Sequence, residues 1–261
     1  MDNSSPQAKA KGRIQNGFAA PYNFFIVDLV KESWAAIKGF KATYWGALGY
    51  CVLVGILSFL VGFGINYAGQ SLFGYSDEIG QAVVNVVITL ITLPLIVGMM
   101  MLAIRYSADL PVRSKDVFNY YSSYLRIFGV YVVQWVILFV LWFASQVFFE
   151  LTGATDVNAY KALYFVFGAV FFLSFIYLAI SYMFSLVLRV EKNYGIIQSL
   201  EVSRKAISQH WFKMIFALIT FEIIVLLSAI PLLIGLIWTM PMFYIMLGIL
   251  YRTMFGVEEM R

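Results

Sequence analysis

Charged side chains and the usual metal ligands are scarce in this chain of 261 residues. Asp, Glu, Lys and Arg together make up 12% of it, and it contains one Cys and one His. A typical soluble domain has about 25% charged residues. Apolar residues account for 62% of the chain, and so few charges cannot cover a globule with that much apolar material. The composition therefore argues against a soluble enzyme and indicates an integral membrane protein.

The single cysteine and the single histidine restrict the chemistry further. Cys51 lies inside an apolar run, and one cysteine cannot form an intramolecular disulfide. His210 stands alone, which excludes metal motifs that need two histidines. The sequence also has no nucleophile elbow, P-loop, dinucleotide-binding glycine pattern or pair of carboxylates on an apolar face. It therefore predicts no catalytic residue, no metal and no cofactor.

Long apolar runs are what the chain has in abundance. About 20 apolar residues cross the roughly 30 Å of bilayer hydrocarbon, and four runs without a charge are predicted to do so: 43–67, 82–104, 127–149 and 162–188. The stretch Met214–Tyr251 is too long for one span, and Pro231 and Gly235 predict a turn near its middle. We therefore divide it into spans at about 213–231 and 235–253. The predicted fold is an all-α polytopic bundle of six transmembrane helices.

Basic residues orient this bundle. Seventeen of the 18 Lys and Arg residues lie in the N-terminal segment, after the second or fourth span, or in the C-terminal tail, whereas the opposite loops contain only Lys161. The positive-inside rule therefore predicts that both termini are cytoplasmic. The same basic excess predicts attraction to anionic lipids on the cytoplasmic face, which we favour over nucleic-acid binding. Residues 1–22 are polar and weakly patterned, so we expect a disordered cytoplasmic tail before a single transmembrane domain at 23–261.

Three amphipathic segments precede the odd-numbered spans, at about 27–41, 115–126 and 197–212. In the first, the spacing predicts that Val27, Val30, Trp34 and Ile37 share one stripe of a helix. The second places Val117, Tyr121 and Tyr124 at similar spacing, and the third Leu200, Ile207 and Trp211. We predict helices that lie in the membrane interface. The predicted interfacial anchors are Trp34, Lys41, Arg126, Trp211 and Lys213.

The ends of the second and sixth spans repeat a motif. TLPLIVGMMMLAIR (92–105) and TMPMFYIMLGILYR (239–252) share a Thr, a Pro, a Met five residues after the Pro, and a closing Arg. Together with the spacing of the amphipathic segments, the motif predicts three units, each an amphipathic helix followed by a hairpin. Pro94, Pro231 and Pro241 are predicted to shape the helices, since proline removes a backbone donor.

Glu222 is the one ionisable residue predicted inside a span. A charge near the bilayer midplane costs on the order of 3 kcal/mol, so we expect this side chain to face protein or water. Two interpretations stay open. In the first, Glu222 is a functional group that binds a proton, a cation or a polar ligand. In the second, it is a protonated carboxyl that is hydrogen-bonded to a neighbour such as Gln134, Asn85 or a tyrosine. The second is favoured, because charged-solute transporters usually have several such residues.

The second half of the chain carries a family resemblance. The run SYMFSLVLRVEKNYGIIQSLEVSRKAISQHWFKMIFALITF (181–221), followed by Pro241 and by Tyr251 and Arg252, resembles a bacterial family of six-helix inner-membrane proteins. This family includes YciC-type proteins and the membrane domain that precedes some glycerophosphodiester phosphodiesterases. The resemblance covers about residues 170–255 and implies a multi-pass protein of the bacterial cytoplasmic (inner) membrane. It implies no catalytic residue.

Two functions of different classes are compatible with these features. The first is a non-enzymatic scaffold, accessory or envelope-homeostasis factor that engages membrane lipids, a protein partner or a second copy through its interfacial helices. The second is a transporter or channel for a small or amphipathic solute, with Glu222 as its buried polar site. An intramembrane enzyme ranks below both, because the reactive groups that it needs are missing.

Overall fold

The computed structural model describes residues 14–15, 18–19, 22–74, 76–151 and 161–257. Apart from turns and two short strands, β1 and β2, these residues are helical. The elements are β1 (Ile14–Gln15), β2 (Phe18–Ala19), α1 (Ile26–Phe73), α2 (Asp77–Ser107), a 3₁₀ helix (Ser114–Ser123), α3 (Tyr124–Leu151), α4 (Lys161–Ser181), α5 (Ser185–Glu191), α6 (Ile196–Gln209), α7 (Trp211–Ala229) and α8 (Leu236–Phe255). Within these described ranges, six helical stretches are long and apolar enough to cross a membrane, which confirms the predicted fold class. The predicted disordered tail lies mostly outside the described residues.

Helix α1 joins the first amphipathic segment and the first predicted span without a break. It has 48 residues, which corresponds to about 72 Å. We predicted two elements, at 27–41 and 43–67, but the Lys-Ala-Thr sequence at 41–43 contains no helix breaker. The helix ends at Gly74, which adopts a left-handed conformation (φ 67°) and donates its N–H to the carbonyl of Gln70 at 3.1 Å.

The other two amphipathic segments differ from each other in geometry. The second forms the 3₁₀ helix, in which Val117, Tyr120 and Ser123 are buried at every third position. A 3₁₀ helix has three residues per turn, so the buried positions follow a spacing of three and include Tyr120, whereas Tyr121 and Tyr124 of the predicted stripe are not among them. The third segment forms α6, where Leu200 and Ile207 are buried as predicted.

The chain divides into two compact units. Unit 1 contains α1, α2, the 3₁₀ helix, α7 and α8, and unit 2 contains α3 to α6. The core of unit 1 is formed by the second half of α2 and by α8, whose side chains are buried along most of both segments. Met99 and Met101 belong to this core and pack against protein. In unit 2, Val130 of α3, Tyr182 and Leu200 of α6 form a buried cluster.

The predicted fourth span is interrupted in unit 2. Residues 182–184 form a turn that separates α4 from α5. Ser203 of α6 donates its hydroxyl to the carbonyl of Ser181, the last residue of α4, at 2.7 Å. The Ser203 side chain thus satisfies a carbonyl at the end of α4, where intrahelical partners are missing.

Candidate functional site

The first amphipathic segment has two clearly different faces. Leu29, Ser33, Ile37 and Phe40 are buried at spacings of four, four and three residues, which is the pattern of a helix packed along one seam. On the opposite side, Lys31 and Lys38 are exposed, and Trp34 between them is 59% exposed. We call Lys31, Trp34 and Lys38 the basic face of α1. The two lysines form no ion pair with any residue that the structure describes.

The residues of the predicted stripe differ in their burial against protein. Ile37 is buried, but Val27 and Trp34, which were expected beside it, are exposed. The buried stripe instead includes Ser33, whose hydroxyl lies in the core. The interfacial anchor Trp34 therefore faces outward between two lysines, an arrangement suited to lipid headgroups.

Arg252 joins three helices of unit 1. Its guanidinium is buried, with 5% of the residue exposed, and donates to the carbonyl of Ser107 at the end of α2. It also donates to a carboxylate oxygen of Glu32 on α1 at 2.8 Å. The sequence had marked Arg252 as the closing residue of a repeated motif and as part of the family resemblance, and it gave no signal for Glu32. Such a charge-assisted pair fixes the register of α1 against α8.

Pro241 explains a second cross-link between α1 and α8. A proline inside a helix has no N–H for the carbonyl four residues earlier, which here belongs to Ile237. The indole N–H of Trp45 donates to this carbonyl at 3.0 Å. Helix α8 therefore continues through Pro241. The carbonyl of Ile237, which has no partner within α8, accepts its hydrogen bond from Trp45 of α1. In α2, which also continues through its proline, the hydroxyl of Tyr121 donates to the carbonyl of Ile91 near Pro94 at 2.7 Å.

Replacing Trp45 with phenylalanine is expected to lower the free energy of unfolding by about 1–2 kcal/mol, because the Ile237 carbonyl loses its donor while an aromatic ring remains. The measurement is unfolding in mixed micelles titrated with SDS. The matched control is Trp34→Phe on the exposed basic face, which should change stability by less than about 0.5 kcal/mol. Equal losses in both variants would refute this role for the indole N–H.

The other predicted anchors in unit 1 have aromatic or polar neighbours. The ammonium of Lys41 lies 4.9 Å from the centre of the Trp238 ring, within the range of a cation–π contact. Lys213 donates to the side-chain oxygen of Asn23 at 2.7 Å, and its ammonium lies 5.9 Å from the Phe25 ring. These two lysines therefore contact protein groups, in contrast to Lys31 and Lys38.

In unit 2, the anchors and the charges of α6 are also engaged. Arg126 donates to the side chain of Asn193 at 3.1 Å, and the Trp211 ring lies 5.8 Å from the ring of Tyr177. Glu201 pairs with Arg204 at 3.0 Å and with Lys205 at 3.1 Å. The hydrogen bonds from Arg204 and Lys205 lower the pKa of the Glu201 carboxyl. Both cations thus share the one carboxylate of Glu201, which leaves a net charge of +1 on these three residues.

Each unit contains a cavity. In unit 1, a cavity of about 640 Å³ lies beside the contact between α1 and the end of α2. It is lined by the carboxylates Glu32 and Asp109 and by apolar side chains such as Ile245 and Ile249. In unit 2, a cavity of about 360 Å³ is lined by aromatic residues and Ser145. Within the described part of the chain, no group of three or more His, Cys, Asp or Glu could hold a metal.

Within unit 1, Glu222 and Asn85 form no hydrogen bond with each other. Glu222 is exposed on α7, and its side chain has no hydrogen bond or ion pair with the residues that the structure describes. Asn85 is exposed on α2 and accepts a hydrogen bond from Gln81 at 3.4 Å. Gln134 belongs to α3 in unit 2. Neither of the two cavities described above is lined by Glu222.

Comparison of the chain with protein-family models, with curated proteins and with solved structures gives no match.

Proposed function

We propose that this integral membrane protein is a non-enzymatic scaffold or accessory factor that binds anionic lipid headgroups through the basic face of α1. The observation that carries the proposal is the exposed Lys31–Trp34–Lys38 face, opposite a stripe that is buried in unit 1. A bilayer of anionic lipids attracts each nearby lysine by about 1 kcal/mol. An indole ring between two lysines adds a group that partitions to the headgroup region.

The proposal also assigns an orientation and a place in the cell. The basic loops would lie in the cytoplasm of a bacterium, with both termini on that side of the inner membrane, because anionic headgroups and the positive-inside rule favour the same face. Envelope homeostasis is the role in which such lipid contact would act. Transport of a solute through Glu222 is the alternative from the sequence, and the exposed position of Glu222 does not add to it.

The test compares thermal unfolding of the protein in nanodiscs of zwitterionic lipid with and without an anionic lipid. Anionic lipid should stabilise the wild type, and Lys31→Gln/Lys38→Gln should remove about 2 kcal/mol of that stabilisation. The matched control is Lys205→Gln, because Lys205 already pairs with Glu201 and should contribute less. High salt should weaken the lipid effect in the wild type.

Glu222→Gln separates the two functions in the same experiment. It should leave the response to anionic lipid unchanged, since Glu222 is not part of the basic face. An unchanged lipid response in Lys31→Gln/Lys38→Gln would contradict the proposal. Solute flux in proteoliposomes that Glu222→Gln abolishes would favour transport instead.

A further inference from the structure

The turn between α7 and α8 has an unusual composition. Its residues, which we call the α7–α8 tip, are Ile230, Pro231, Leu232, Leu233, Ile234 and Gly235, and none has a polar side chain. Leu232 is 87% exposed and Leu233 is 62% exposed. Between Glu222 and Arg252 the chain has no charged residue. The turn between α1 and α2 in the same unit is flanked instead by Ser76, Asp77 and Glu78.

The backbone of the tip makes this composition harder to explain in water. Leu232 and Leu233 both adopt left-handed conformations, with φ of 51° and 65°. Residues with a Cβ rarely do so, and glycine, asparagine or aspartate usually occupies such positions. The α1–α2 turn follows that preference with Gly74 at φ 67°. In the tip, leucines occupy both left-handed positions. Apolar residues at positions that usually hold glycine, asparagine or aspartate indicate that the tip lies in an apolar environment.

Most backbone donors of the tip are satisfied within the tip itself. In lipid, backbone donors must be satisfied by the protein, because no water is present. The N–H groups of Ile230, Leu232, Leu233, Ile234, Leu236, Ile237 and Trp238 all donate to carbonyls within 227–235. Pro231 has no N–H, and Gly235 is the one residue of the tip whose N–H forms no hydrogen bond with the described residues. A single unsatisfied donor keeps the cost of placing this turn in hydrocarbon low.

The two helices are also held tightly together at this turn. The hydroxyls of Ser228 and Thr239 lie 2.6 Å apart in a hydrogen bond between α7 and α8. A Cβ at Gly235 would collide with the carbonyl oxygen of Ser228. The polar groups next to the tip thus bond to each other, which leaves the leucines and isoleucines as its outer surface.

The tip and the α1–α2 turn lie at different heights along α1. Trp45 contacts Ile237 at the beginning of α8, whereas α1 continues from Trp45 to Phe73. At 1.5 Å per residue, that continuation is about 42 Å long. The two turns therefore cannot both lie at one membrane surface. The turn flanked by Asp77 and Glu78 suits water, and the tip does not.

We propose that the α7–α8 tip ends inside the hydrocarbon of the bilayer and binds lipid acyl chains instead of emerging into water. The occupant is acyl chains and not a protein helix, because the exposed surface of the tip carries no polar or charged group that could specify a partner. The 19 and 20 residues of α7 and α8 extend no farther than the hydrocarbon is thick. This contact is separate from the basic face of α1, so either proposal can fail alone.

The test places a single thiol at the tip of the full-length protein. In a Cys51→Ser background, Leu232→Cys is compared with Glu78→Cys, whose side chain is exposed in the first turn of α2. Both variants are reconstituted in vesicles and treated with a membrane-impermeant maleimide on each side in turn. We expect Glu78→Cys to react from one side and Leu232→Cys to react at least tenfold more slowly from both. Unfolding in SDS confirms that both thiols are present.

A spin label attached to the same thiol identifies what covers the tip. Lipid acyl chains dissolve oxygen and exclude a polar nickel complex, so the Leu232→Cys label should be relaxed by oxygen and not by nickel. Rapid maleimide labelling, or strong relaxation by nickel, would show a tip in water and overturn the proposal. Low accessibility to both relaxing agents would show a tip covered by protein, and it would overturn the choice of occupant.

Discussion

Replacing Arg252 with alanine is expected to lower the free energy of unfolding by about 3 kcal/mol. The guanidinium is buried and bonds to both Ser107 and Glu32, so its removal leaves a buried carbonyl without a donor and a carboxylate without its cation. Removing one partner of a buried ion pair typically costs about 3–5 kcal/mol. The lower end applies here because the Glu32 side chain keeps contact with solvent. SDS titration in mixed micelles measures the loss.

Arg105→Ala is the matched control, because Arg105 closes the same repeated motif in α2 but is only half-buried, and its side chain has no hydrogen bond or ion pair within the described residues. We expect its loss of stability to be below about 1 kcal/mol. Arg252→Met combined with Glu32→Leu should recover part of the stability, since an apolar pair of similar volume often replaces a buried ion pair without loss. Similar losses in Arg252→Ala and Arg105→Ala would show that the network contributes little.

The amphipathic segments pack against apolar helices of their own unit. Helix α1 packs against both α2 and α8, the 3₁₀ helix packs against α2 and α1, and α6 packs against α4 and α5. The second and third segments thus each cover the apolar helix that precedes them. This order supports the three predicted units, which remain a prediction. It also means that their apolar faces are occupied by protein, so their outward faces are what lipids can meet.

The apolar helices were predictable because an apolar run of 20 or more residues without a charge is characteristic of a membrane-spanning helix. The predicted span 82–104 lies inside α2, and the predicted third segment, 197–212, overlaps α6. The turn near Pro231 was also recognisable, since proline and glycine stand together in an apolar stretch. These features depend on local sequence, and local sequence is sufficient to define them.

The contacts that organise unit 1 were not predictable. Arg252 and Glu32 are 220 residues apart in sequence, and nothing in either segment indicates the other. The buried stripe of α1 differs from the predicted one because helical spacing permits several neighbouring stripes, and the packing of α2 and α8 selects among them. Glu222 could be located along α7, but the face on which it lies depends on neighbours that the sequence does not identify.

Replacing Gly248 with alanine is expected to lower the free energy of unfolding by about 2–3 kcal/mol, because α2 and α8 touch at this residue. A Cβ at Gly248 would lie 2.5 Å from the carbonyl oxygen of Ala103 and 2.7 Å from its carbonyl carbon. These atoms are backbone, so the two helices must separate, and overpacking of this kind costs about 1–3 kcal/mol. Gly98→Ala should behave similarly, since its Cβ would collide with the carbonyl oxygen of Val117 in the 3₁₀ helix.

Gly55→Ala separates this effect from helix propensity. Gly55 lies in α1 with no other atom near the position of a Cβ, and alanine is favoured over glycine inside a helix by about 1 kcal/mol. The same chemical change should therefore stabilise the protein at Gly55 and destabilise it at Gly248, when both are measured by SDS titration. Opposite signs follow only if α2 and α8 meet backbone to backbone. Equal stabilisation by both changes would mean that this contact is absent, and with it the close packing that brings Arg252 to Ser107.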